Sequence, residues 1–129
     1  MNINMVFDYI AFACYFYVPN KANKKKIKQL FESIPYFLPE SKQNVLFTIT
    51  RSRPIESFYD KTETLKYYGY MVYKDYHISE NKRYLEYNEY NDRFLAYLYK
   101  DNHIQRRWVK HVVFISVVIV IIYFLYKNK

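Results

Sequence analysis

The chain opens with a dense apolar and aromatic run over residues 6–18 that stops at Pro19. β-Branched and aromatic residues packed this closely predict a long buried strand. Asn20 then offers a helix N-cap. Ile27, Leu30, Phe31 and Ile34 recur at helical spacing, with Lys21, Lys24, Lys25, Lys26 and Lys28 mostly solvated. Pro35 should end this helix, and Pro39 should keep the next segment irregular. Over residues 44–52, Val45, Phe47 and Ile49 alternate with Leu46, Thr48 and Thr50, a strand pattern. Residues 55–64 read as a loop or short helical turn, and 65–78 as a second, Tyr-rich extended run. Residues 83–90 fit either a strand or a helix. Asn91 or Asp92 could cap a helix carrying Phe94, Leu95, Leu98 and Tyr99, running on toward the C-terminus. Together these predict a water-facing α+β domain over residues 1–105, with a small, mainly antiparallel sheet and one or two helices.

The last segment, residues 106–129, has a different pattern. Val112, Val113, Phe114, Ile115, Val117, Val118, Ile119, Val120, Ile121, Ile122, Tyr123, Phe124, Leu125 and Tyr126 are interrupted only by Ser116. A lone serine is tolerated there because its hydroxyl can bond back to a helix carbonyl. With Trp108 the run reaches about 19 residues, which as a helix approaches the roughly 30 Å hydrocarbon core of a bilayer. Trp108, Tyr123 and Tyr126 match interfacial aromatic belts, and Arg106, Arg107, Lys110, Lys127 and Lys129 flank the run. The expectation is a single-pass, tail-anchored membrane protein with one C-terminal transmembrane helix and the lipid bilayer as a partner. The flanking charges lean toward a cytoplasmic N-terminal domain. The apolar run at residues 5–18 is short for a span and contains Asp8.

Composition adds a basic balance: 20 Lys and Arg against 12 Asp and Glu, a net charge of +8. Such a surface favours anionic partners without choosing among them. The 17 Tyr and 10 Phe suit half-buried surfaces and interfaces, although AT-rich codons would enrich both residues without functional demand. Cys14, the one cysteine, sits in an apolar run and reads as a small core residue. A single glycine, Gly69, excludes the phosphate-binding loop and the dinucleotide fingerprint, which need several.

Candidate chemistry is sparse. His77, His103 and His111 lack metal-ligand spacing, and His77 beside Asp75 lacks a nucleophile pattern. Asp60 and Glu63 read as surface carboxylates rather than paired acids. No catalytic, metal or cofactor site is expected. Arg51 and Arg53, two apart at a strand end, could fork around a phosphate, a carboxylate or a partner's acidic loop, with Tyr59 nearby. The alternative is an internal ion pair with Glu56 or Asp60. The run Lys66-Tyr67-Tyr68-Gly69-Tyr70-Met71-Val72-Tyr73 is similar to the RNP1 strand of RNA-recognition domains, departing from it at Tyr67 and Met71. That likeness implies bases stacked on Tyr68, Tyr70 and Tyr73. Nucleic acid is nonetheless not the expected partner.

The whole plan resembles the small tail-anchored envelope proteins of large DNA viruses. In size and layout it is similar to the smaller baculovirus per os infectivity factors, membrane components of the occlusion-derived virion that act as one complex in entry. Residues 35–39, Pro-Tyr-Phe-Leu-Pro, and 51–60 are where a family signature would sit. The resemblance implies a non-enzymatic membrane subunit in a hetero-complex with other membrane proteins, in a virion envelope or host internal membrane. Alternatives are an accessory single-span subunit of an organellar membrane complex, or a tethered RNA-binding module.

Overall fold

A computed structural model describes the backbone of residues 3–127, and the side chains of these except 101–107, 120–122, 124, 125 and 127. Among the described residues five α-helices follow one another: α1 Ile3–Tyr15, α2 Lys21–Ser33, α3 Glu40–Ser52, α4 Thr62–Ser79 and α5 Tyr87–Lys127. Single 3-10 turns occupy Ile34–Phe37 and Ile55–Ser57. The α+β expectation is therefore corrected: among the described residues the chain is helical and holds no strand.

The reason is periodicity. In α1 the buried residues are Ile3, Val6, Phe7, Ile10 and Cys14, and in α4 they include Leu65, Tyr68, Gly69, Val72, Tyr73 and Tyr76. Both series step by three and four, which places them on one face of a helix. β-Branched and aromatic residues favour strands only where a pleated surface is there to receive them. In α3 the apparent alternation is incidental: Leu46 and Ile49, three apart, point inward while Phe47 and Thr48 do not. Residues 83–90 also contain no strand; they lead into α5, which starts at Tyr87.

The helix expected after Pro19 is α2. The Asn20 side chain accepts from the Asn23 N–H at 2.8 Å and satisfies an end donor. Pro35 sits in the first positions of the 3-10 turn that follows, where its missing N–H costs nothing. The α4 C-terminus closes with Asn81 in the left-handed region (φ 51°), Lys82 N–H donating to His77 C=O at 2.8 Å and Asn81 N–H to Ile78 C=O at 3.1 Å. This Schellman closure usually uses glycine, and asparagine is the common substitute.

The chain divides into two compact units, Met1–Phe94 and Leu95–Lys129. In the first, α4 is the central helix, with α1 and α3 packed on it. At Gly69 α1 packs close on α4: a Cβ there would meet Cys14 Sγ at 3.0 Å and Ile10 Cγ2 at 3.4 Å. The tyrosines of this core fasten loops as well as filling space. Tyr68 OH donates to Arg53 C=O (3.0 Å) and Tyr70 OH to Leu85 C=O (3.1 Å), while Tyr73 OH accepts from Leu85 N–H (3.1 Å). Tyr17 OH donates to Tyr59 C=O (2.7 Å). Rings of Phe7, Tyr70, Tyr73, Tyr87 and Tyr90 pack edge-on or tilted, with centroids 5.0 to 5.5 Å apart.

The second unit is the remainder of α5. Among the described residues no helix is long and apolar enough to cross a membrane. That overturns the transmembrane, tail-anchored and single-pass expectations, and with them the membrane localisation. Lys110 and His111 stand near the N-terminal end of the run assigned to the anchor. Of the residues assigned to the anchor, the side chains of Val120, Ile121, Ile122, Phe124 and Leu125 lie outside the described residues. Trp108, Val112, Val113, Phe114, Ile115, Val117, Val118, Ile119, Tyr123 and Tyr126 are exposed. Ser116 OH bonds back to Val112 C=O at 2.9 Å, as a mid-helix serine is expected to.

Candidate interaction surface

Helix geometry separates the two arginines expected to act as a fork. Arg51 lies in the last turn of α3, its guanidinium 5.5 Å from the centre of the Phe47 ring one turn earlier. Arg53 has left the helix, takes an extended conformation and pairs with Asp75 of α4 at 3.1 Å. Neither forms the internal ion pair with Glu56 or Asp60 suggested by the sequence. Those carboxylates are taken by α2: Lys28 bonds Glu56 and Lys24 bonds Asp60. The Lys28 hydrogen bond holds the Glu56 carboxyl below its ordinary range, and the Asp60 and Glu56 bonds raise Lys24 and Lys28. Arg51 thus has no carboxylate partner among the described residues. It stands at the edge of an open cleft of about 340 Å³ whose floor includes Phe31, Ile55 and Tyr68. Lys28, Glu32 and Glu56 also line that cleft, so both signs of charge meet there.

Tyr59 is half-buried beneath the Lys24 ammonium, 5.3 Å from its ring centre. Tyr68, Tyr70 and Tyr73 are inside the bundle, 1%, 3% and 7% exposed. The strand that would have displayed them is α4, and their rings face other rings, so no base can stack on them.

Nucleophile and base candidates are equally enclosed. Cys14 is buried, and burial pushes its thiol up to about 12, so it stays protonated and unreactive. His77 is caged by Phe7, Tyr73 and Tyr76, with Nδ1 2.9 Å from Tyr73 C=O. Its neighbour in sequence, Asp75, points to Arg53 instead. Glu63 pairs with Lys66 at 2.9 Å, apart from Asp60. Among the described residues no group of three or more histidines, cysteines or carboxylates could hold a metal ion.

The feature the sequence reading missed is an uncovered flank. Met5, Val6 and Tyr9 of α1 face Leu30 and Ser33 of α2, and Ile34 and Phe37 of the following 3-10 turn, across an open groove of about 290 Å³. Met5, Tyr9 and Phe37 are 65%, 57% and 75% exposed. Of the two hydroxyl-bearing residues in the lining, Tyr9 and Ser33, the Ser33 OH is spent on Leu30 C=O at 3.0 Å. A signal was present: Met5, Tyr9, Phe12 and Phe16 form a second stripe at steps of four, three and four beside the core stripe of α1. Tyr36 and Phe37, between the two prolines, continue the aromatic surface.

No known protein family, curated protein or solved structure matches this chain.

Proposed function

We propose that the chain is a non-enzymatic interaction subunit of a protein complex, meeting another protein through the α1–α2 flank of its helical unit. The observation that carries this reading is the groove itself, an apolar channel whose rim residues Met5, Tyr9 and Phe37 stand in water. Large apolar side chains clustered at one place on a surface usually mark a protein contact, and Met, Tyr and Phe are the types enriched in interface centres. The enclosure of Cys14 and His77 supports a role without catalysis. A role inside an assembly is also what the likeness in size to the baculovirus factors implies.

Co-purification tests the reading. The full chain, with a short N-terminal tag, is expressed in the cells it comes from and recovered gently. The expected result is a fixed set of other proteins at near-equal amounts. Recovery of the chain alone, or with RNA, overturns it.

A further inference from the structure

We infer that the α1–α2 groove takes the apolar edge of an amphipathic helix from a partner protein, and that an acidic residue on that helix meets Lys26. The inference rests on the reading of the chain as an interaction subunit and adds the chemistry of its partner.

Shape comes first. Met5 and Tyr9 on one wall, and Leu30 and Ile34 on the other, are each four residues apart. Side chains four apart on a helix form a ridge with about 6 Å between neighbours. A second helix presents the same spacing, so its residues at i, i+4 and i+7 can seat between these ridges. A cavity of about 150 Å³ holds one benzene, so the groove's 290 Å³ suits about two large side chains.

Openness comes second. Small-molecule sites bury about 70–90% of their ligand. Here the rim residues are more than half exposed, and a free acyl chain or aromatic ring would remain largely in water. A helix covers the groove with its apolar edge and turns its own polar face to solvent.

Charge comes third. Lys26 lies one turn before Leu30 on the same strip of α2, and no carboxylate pairs with it among the described residues. The neighbouring Lys24 and Lys28, on the other side of the helix, are neutralised by Asp60 and Glu56. The groove lining contains no acid. Outside the lining itself, one turn along α2 from Leu30, stands an uncompensated cation, which favours a partner carrying a carboxylate there and disfavours a basic one.

The test is site-specific photocrosslinking in the full chain, with p-benzoylphenylalanine in place of Phe37, in the cells the chain comes from. Sequencing of the crosslinked peptide should show a partner segment with apolar residues at i, i+3 or i+4, and i+7, and Asp or Glu beside them. Lys26→Glu should lower the crosslink yield about tenfold, and reversing the partner's acidic residue to Lys should restore it. Crosslinks to the chain's own peptides, to lipid or to RNA overturn the inference, as does a yield indifferent to Lys26→Glu. Lys26 and Phe37 are both exposed, and unchanged circular dichroism of each variant would verify that folding is intact. Parallel co-purification separates the two claims. Partners retained by Lys26→Glu and Phe37→Ser leave the subunit reading standing and remove the groove. Partners absent even with the unaltered chain remove both.

Discussion

Two clusters of large apolar side chains in this protein, each containing tyrosine, have opposite surroundings. Tyr68, Tyr70 and Tyr73 of α4 lie inside, each using its hydroxyl on a backbone group of a loop. Met5, Tyr9 and Phe37 lie outside, over a groove that nothing in the unit fills. A paired hydroxyl spares a buried tyrosine the roughly 1–3 kcal/mol cost of an unpaired buried donor; Tyr76 and Tyr90, whose buried hydroxyls have no hydrogen-bond partner among the described residues, lack that benefit. The first cluster is committed to stability. The second contributes little to it and is free to bind.

The largest test of that contrast is deletion. Tyr68→Ala should cost about 3–5 kcal/mol, since it removes a buried ring and orphans the Arg53 carbonyl. Chemical denaturation of both variants checks this, with Phe37→Ala expected to stay within about 0.5 kcal/mol. Gly69→Val comes next, at about 1–3 kcal/mol, because the added atoms enter the space of Cys14 and Ile10. A thermal melt reads it as a loss of several degrees.

Alkaline titration sharpens the same comparison. Burial pushes the Tyr68 hydroxyl from its ordinary 10 up to about 12, and Tyr17, Tyr70 and Tyr90 are also raised, chiefly by burial. The folded state therefore holds protons that the unfolded state releases first. The Tyr68 contribution is fully present below pH 10 and is lost as pH rises from 10 through about 12. Tyrosinate absorbance should rise in two phases, the second coinciding with loss of helical circular dichroism. A single smooth rise with intact helices would contradict the assignment of covered and uncovered rings.

The smallest effects are at helix ends. Asn20→Ala should cost about 1 kcal/mol, the usual worth of an N-cap. Asn81→Gly should be neutral or slightly stabilising, since glycine adopts the same left-handed conformation without strain. Denaturation midpoints measured side by side resolve both.

Legibility differed along the chain for identifiable reasons. α2 was readable because three independent signals agreed: a capping Asn20, apolar residues three and four apart, and a lysine face. α1 and α4 were misread because their residue types suit strands while their spacing suits helices. Spacing prevails when another helix is there to receive the stripe. For Arg51 and Arg53, the assumption of a strand placed both on one side. In a helix they diverge by about 200°, and the chain end between them takes Arg53 to Asp75. The groove was missed because its second stripe on α1 was absorbed into one long apolar run.

By itself the sequence determined the capped α2 helix, Cys14 as a small core residue, the basic balance and the lack of a glycine-rich nucleotide loop, since each follows from residue identity or local spacing. The tertiary structure alone decided which tyrosines are covered, which carboxylates neutralise Lys24 and Lys28, and which cations are left over. Those outcomes depend on contacts between residues far apart in the chain, such as Tyr17 and Tyr59 or Phe7 and Tyr73. Local pattern states that a side chain is apolar or charged, and only packing states what stands opposite it.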